Sequence, residues 1–252
     1  MKITSLNNKK IKEILKLKNI KQIKKSKKYL VEGLHLVEEA IKSNSIEEVF
    51  ISENFSKNID FNNNIKVTII EDDIRKQLGE TVNNQGIFAV CKIEEKELDI
   101  KKYKNIVILD KIQDPGNLGT IIRTADAFSF DCVILGKETT SLYSQKVIRS
   151  MQGSHFHIDC FENVDILSFL SEMKDFDIFA TSLDDSSKFL EGISKINDKY
   201  AIILGNEANG VSSEILSKVT NKIKIKMDGQ AESLNVGVSS AIIMHYIKNI
   251  IK

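Results

Sequence analysis

The sequence predicts an α/β protein in which a small α/β unit precedes a larger parallel-sheet domain. Three observations carry that expectation. Beyond residue 105, short continuous apolar runs alternate with helical patterns, as in parallel strands buried on both faces. Three of those runs share one grammar, an apolar strand, a polar Gly-containing loop and a helix: LDKIQDPGNLGTIIRTADAF (109–128), AIILGNEANGVS (201–212) and IKIKMDGQAESLNVGVSSAI (223–242). Ahead of them lies an independent strand–helix alternation, closed by the charged, aperiodic stretch IEEKELDIKKYK (93–104). A chain of 252 residues accommodates two modest domains. The expected division is residues 1–94, a linker over 95–104, and residues 105–252.

In chain order, residues 1–28 read as partly helical. Ile11, Ile14 and Leu15 share a face, whereas Ile20 and Ile23 drift off it, which predicts a break near Lys18–Lys21. YLVEG (29–33) reads as a short strand, and 34–43 as a helix with Val37, Ala40 and Ile41 on one face. EVFIS (48–52) and KVTII (66–70) are expected strands on either side of the Asn-rich loop 53–65. Residues 71–79 form a short helix, and GIFAVCK (86–92) another strand. The second domain should hold strands at Ile106–Leu109, Cys132–Leu135, Phe156–Cys160, Ile178–Thr181, Ala201–Leu204 and Ile223–Met227. A helix from about Leu234 to Ile250 closes it.

Composition narrows the function classes. With 42% hydrophobic and 28% charged residues, the chain lies outside the disordered range. Cys91, Cys132 and Cys160 show neither a CxxC pair nor zinc spacing, which fits a reduced, cytoplasmic compartment. The basic N-terminus lacks the apolar core of a signal peptide, and no apolar run approaches the roughly 18 residues of a membrane helix. Net charge is +1, but residues 1–28 hold eleven lysines and a single acid, Glu13. A basic arm on a mildly acidic body points to a polyanionic partner, though a solvated Lys-rich face would look the same.

The three loops carry the chemistry. There is no GxxxxGK[ST] or GxGxxG phosphate loop, no HExxH and no His cluster, so no metal site is expected; His35, His155, His157 and His245 are scattered. In the first loop, Gly116 and Gly119 allow a sharp turn beside Pro115, the one proline. Asn117 suits either a helix cap or a substrate contact. Arg123, among Ile121, Ile122 and Ala125, calls for an anionic partner: Asp110, Asp114 or Asp126 within the chain, or a ligand. In the second loop, Glu207 could cap the next helix or face a ligand. In the third, Ile225 and Met227 are expected to end a strand, Asp228 and Gly229 to turn, and Ser233 to cap the last helix or meet a ligand.

In order and spacing, the three segments resemble the motifs of the SpoU (TrmH) family of RNA 2′-O-ribose methyltransferases, in the SPOUT superfamily. The resemblance spans nearly the whole chain. It implies a deep trefoil knot in the C-terminal domain, a homodimer, S-adenosylmethionine as cofactor, and an N-terminal RNA-binding domain of the ribosomal-protein L30e/L7Ae type. It further implies that Arg123, Asn117, Glu207, Ser233 and Asn235 form the catalytic set. Thr181, Gly205, Asn206, Glu207, Ile225, Met227, Ser233, Leu234 and Asn235 would contact the cofactor. A guanidinium stays protonated, so Arg123 is better read as a phosphate clamp that stabilises a developing alkoxide. A substrate phosphate or Glu207 would then take the proton. Lys226, Ser129 and Ala208 depart from the family pattern without removing a chemical group. The separate N-terminal domain favours 23S ribosomal RNA over transfer RNA as substrate. Alternatives are a transfer-RNA methyltransferase and a non-catalytic RNA-binding or ribosome-assembly protein of the same fold.

Overall fold

The computed structural model describes the chain except residues 58, 60, 62–64, 82–83 and 251–252. Part of the loop expected at 53–65 therefore falls outside the described residues. Two compact units emerge: Met1–Glu95 with Tyr143–Phe156, and Lys96–Leu142 with His157–Lys252. Division by packing thus differs from a single cut along the sequence, because the stretch 143–156 belongs with the first unit.

The first unit begins with β1 (Lys2–Ile3), α1 (Lys9–Leu15) and α2 (Ile20–Ser26), with a 3-10 turn at Lys16–Lys18 between the helices. Asn8 and Asn19 cap the two helices, their side chains accepting from Lys10 N (2.9 Å) and Lys21 N (2.8 Å). The expected break therefore falls at Asn19. The Lys-rich segment is not a free arm. Ile3 is buried where β1 pairs with β4, and Ile11, Ile14, Leu17 and Ile23 are buried because apolar residues recur at near-helical spacing while the lysines take the other face. Then follow β2 (Lys28–Glu32), α3 (Leu34–Lys42), β3 (Ile46–Ser52), β4 (Val67–Ile70), α4 (Asp72–Leu78) and β5 (Ile87–Lys92). The five strands form one mixed sheet in the order β1-β4-β3-β5-β2. β5 pairs antiparallel with both β2 and β3, and β4 pairs parallel with β1 and β3.

The second unit is organised by β6 (Asn105–Asp110), α5 (Pro115–Ala127) and β7 (Cys132–Gly136). The chain passes through α6 (Gln145–Met151), within the stretch that packs with the first unit, and returns as β8 (Asp159–Val164). Next come α7 (Ile166–Glu172), β9 (Asp177–Thr181), β10 (Lys188–Phe189), β11 (Tyr200–Gly205), α8 (Ser213–Leu216), β12 (Asn221–Lys224) and α9 (Val236–Ile250). The seven strands lie in the order β10-β12-β9-β11-β6-β7-β8, every recorded pair parallel. NIVILD, CVILG and YAIILG supply the central strands, whose apolar residues are nearly all fully buried. Ile106, Ile108, Ile134 and Ile203 join a core with Ile166 and Phe169 from α7 and Ile215 from α8.

Two strand boundaries differ from expectation. The strand expected at Phe156–Cys160 starts at Asp159, because Ser154–Phe156 forms a 3-10 turn. The strand expected at Ile223–Met227 ends at Lys224, where its neighbours β9 and β10 have run out at Thr181 and Phe189. Ile225 and Met227 are left in loop. The final helix starts at Val236, and Asn235, not Ser233, holds its first turn: its side-chain oxygen accepts from Gly237 N (2.9 Å) and Val238 N (3.3 Å).

Candidate active site

Strands β6 and β11 are neighbours in register, Leu109 against Leu204 and Asp110 against Gly205. Their following loops therefore leave the sheet side by side, at the strand C-termini where open α/β sheets gather ligands. The first loop enters α5 through Asp114, whose side chain accepts from Asn117 N at 2.9 Å, with Pro115 at the first helical position. Asp114 is thus the cap that the sequence reading offered to Asn117. That leaves the Asn117 side chain free to reach outward.

The second loop is a tight reversal. Asn206 and Gly210 bridge each other through N–H to O contacts of 3.0 and 2.8 Å, and Gly210 takes φ +68°. The Asn206 side chain serves the turn: its oxygen accepts from Ala208 N (3.0 Å) and Asn209 N (3.1 Å), and its nitrogen donates to Lys111 O (2.9 Å). Gly205 sits so close to the returning backbone that a Cβ there would lie 2.0 Å from Gly210 C and Val211 N. Buried Asp110 fixes the loop's exit by accepting from Ser212 N at 2.8 Å.

A hydrogen-bonded chain joins all three loops. Glu207 accepts from Gln113 N (3.2 Å) and Asp114 N (3.0 Å), and also from Asn117 Nδ2 (3.0 Å). Asn117 Oδ1 in turn accepts from Asn235 Nδ2 at 2.9 Å. Glu207 therefore caps the approach to α5 rather than the helix that follows its own loop. Burial alone would raise its carboxyl pKa. The donors from Asn117, Asp114 and Gln113 outweigh that and hold it below the usual glutamate range.

Beside this chain lies a cavity of about 480 Å³. Thr181, Gly205, Asn206, Glu207, Ile225, Met227, Ser233, Leu234 and Asn235 all line it, as do Leu183, Lys224, Ser239 and Ile243. The Thr181 hydroxyl donates to Ile203 O at 3.3 Å. The Ser233 hydroxyl has no partner among the described residues. The walls combine apolar side chains with a few polar groups, the usual make-up of a small-molecule site. They suit S-adenosylmethionine: aliphatic walls for an adenosyl ring, and loop backbone and hydroxyl groups for its polar parts. The sequence reading missed Leu183, Ser239 and Ile243, whose apolar or small side chains carry no chemical signature.

Arg123 stands apart. It is exposed on α5 while Ile121, Ile122 and Ala125 face the core, and it is not among the cavity walls. Among the described residues it forms no ion pair, so the internal salt bridge is not what holds it. Asp126 pairs instead with His157 (3.1 Å), and Asp110 and Asp114 serve backbone amides.

A parallel sheet whose second and third loops line one cavity, tied to the first loop by Glu207 and Asn117, has the make-up of a ligand-binding enzyme site. The model of the SpoU rRNA methylase family matches residues 104–245, and that of the MRM3-like substrate binding domain matches residues 8–89. The 23S rRNA (guanosine(2553)-2′-O)-methyltransferase RlmP of Bacillus subtilis is 36% identical over 98% of both chains. An AdoMet-bound rRNA methyltransferase from Sinorhizobium meliloti has the same fold: TM-score 0.86, 24% identity, 99% of this chain and 97% of that one. So does the SpoU methyltransferase AviRb of Streptomyces viridochromogenes in complex with AdoMet: TM-score 0.82, 19% identity, 96% of this chain and 98% of that one. The chain belongs to the SpoU family of RNA methyltransferases.

Proposed function

We propose that this SpoU-family methyltransferase methylates a ribose 2′-hydroxyl of 23S ribosomal RNA. The observation that carries the reading is the chain Glu207–Asn117–Asn235, which ties three loops together beside a cavity lined by the second and third. Likeness over nearly the full length to RlmP favours ribosomal over transfer RNA. S-adenosylmethionine, when bound, supplies the electrophilic methyl group. Ser233, Leu234 and Asn235, which line the cavity, would orient it and the ribose. Arg123 would grip a substrate phosphate in a bidentate contact and stabilise charge developing on the ribose oxygen. Glu207, held low and engaged by three donors, makes a weak base. Glu207 is then a positioning residue, and a substrate phosphate would take the proton through its position beside the ribose oxygen and not through greater basicity.

The reading extends to residues 1–94 as the RNA-binding domain, of the ribosomal-protein L30e/L7Ae type, and residues 105–252 as the catalytic domain. It also includes a trefoil knot. Support for the knot comes from the third loop sharing the cavity with the second, and from the α5–α9 contact, where a Cβ on Gly237 would lie 3.2 Å from Thr120 Cγ2. A ribosomal RNA substrate, as the likeness to RlmP favours, would make the cytoplasm the place of action. The test is transfer of labelled methyl groups to unmodified ribosomal and transfer RNA by the native enzyme and by Arg123→Lys. The expected outcome is label in 23S RNA, at a nucleotide that becomes resistant to alkaline cleavage, and loss of most turnover in the variant. Near-native turnover by Arg123→Lys would show that the fork geometry is not needed.

A further inference from the structure

A second cavity, of about 400 Å³, is lined entirely by residues of the N-terminal unit. Helices α1 and α2 and the turn between them form one side, and the β2–β3–β5 sheet forms the other. Its volume falls in the roughly 300–1,000 Å³ range of small-ligand sites. Leu17 and Phe50 contribute to apolar walls, 5% and 1% exposed.

The charges around it divide into two sets. Lys10 and Lys28 are already neutralised, Lys10 by Glu48 at 2.9 Å and Lys28 by Glu47 at 2.6 Å. Lys16 and Lys25 also line the cavity, are exposed, and have no carboxylate partner among the described residues. Glu13, the lone acid of the first 28 residues, lines it too and is likewise unpaired, as is Gln22. A carboxylate among so many lysines would be expected to form an ion pair. Here it is left as an acceptor at an apolar cleft whose rim is cationic.

Sequence-specific RNA binding typically takes splayed bases into such clefts, reading their edges by hydrogen bonds while cations hold the backbone. Resting on the RNA-methyltransferase reading above, we propose that this cavity receives one unstacked nucleotide of the substrate RNA. Its base enters against Leu17, its N–H edge donates to Glu13, and the flanking phosphates sit on Lys16 and Lys25. The occupant is a base with amino or imino donors on its pairing edge, from a single-stranded part of the ribosomal RNA. The cavity is a recognition site, separate from the ribose that is methylated.

The side chains to be changed are exposed, so the fold is not at stake. The experiment compares the native enzyme, Glu13→Gln, Lys16→Ala/Lys25→Ala, and Lys9→Ala/Lys12→Ala. The last pair serves as a charge-matched control that does not line the cavity. Each is assayed for KM and kcat on a 23S RNA fragment, and for binding to that fragment and to a duplex of equal length across a salt series. Glu13→Gln separates the alternatives by sign. A merely basic surface binds RNA more tightly once a negative charge is removed. A base-reading pocket binds its substrate more weakly, by about tenfold for a lost hydrogen bond to a charged group, with duplex binding not weakened and kcat kept. Losing Lys16 and Lys25 should raise KM more than losing the control pair, and flatten the salt slope by about 0.7 for each phosphate contact. Tighter substrate binding by Glu13→Gln, or equal effects of the two lysine pairs, would overturn the proposal. If the native enzyme methylates no RNA, the functional reading fails instead, while the binding arms still decide the pocket.

Discussion

Glu207 shows how one side chain can order two loops through its hydrogen bonds. Its carboxylate takes donors from Gln113 N, Asp114 N and Asn117 Nδ2, and so ties the second loop to the first. Those donors favour the charged form and keep its pKa low. The sign follows directly. A depressed carboxyl is ionised throughout the neutral range, so its ordering of the loops is complete above the ordinary glutamate pKa. That ordering is lost only as pH falls through the depressed value. A pH–rate profile between pH 6 and 9 should therefore owe nothing to Glu207. The expected outcome for Glu207→Gln is a lower kcat, since one donor-rich contact is broken, with the shape of the profile unchanged. If the variant instead flattened the alkaline rise in kcat/KM, Glu207 would be the base and the positioning role would be wrong.

At the scale of elements, the second loop depends on β11 ending without a side chain. A Cβ at Gly205 would meet the backbone of Gly210 and Val211 at 2.0 Å, and backbone cannot swing aside as a side-chain tip can. Gly205→Ala should open the 206–210 reversal and weaken cofactor binding by at least about tenfold, with the helix and strand content kept. Calorimetry with S-adenosylmethionine and far-UV circular dichroism check the two halves of that statement. This turn also shows what is legible in the sequence. LGNEANG announces a strand followed by a Gly-containing turn, and the central strands are readable because their apolar runs are unbroken. Boundaries that depend on neighbours are not readable. Ile225 and Met227 continue an apolar alternation, but the strands beside them have ended, so the pattern persists where the ladder cannot. Caps fail for a related reason. Asp114 and Asn117, or Ser233 and Asn235, are all competent capping residues, and only the tertiary network decides which oxygen turns inward. The Lys-rich segment misleads most: its charge suggests an arm, whereas Ile11, Ile14, Leu17 and Ile23 bury its other face.

For the whole molecule, the outer surface of α9 is the feature a lone chain does not explain. Gly237, Ser240, Ile243, Met244 and Ile247 turn inward, yet Val238 and Ile242 are 51% and 39% exposed, and Leu234, just before the helix, is 38% exposed. Val238 and Ile242, one turn apart, form an apolar stripe on the solvent side of α9, and exposed Leu234 immediately precedes the helix. Scattered exposed aliphatics need no explanation, but a contiguous row beside a ligand cavity does. Leu234 adjoins the stripe and belongs to the cavity wall, so a surface covering both would also bear on the cavity. The homodimer that the sequence resemblance implies would provide such a cover, with the same face meeting itself about a two-fold axis. Light scattering should then give twice the 28.5 kDa of one chain. Val238→Glu/Ile242→Glu, altering residues that face away from the core, should halve that mass. It should also weaken cofactor binding, because like charges would oppose across the axis and the Leu234 wall would lose its support. A native protein that runs as a monomer at micromolar concentration, or a charged variant that stays dimeric, would place the interface elsewhere. A monomeric variant with unaltered cofactor affinity would show that the cavity is complete within one chain.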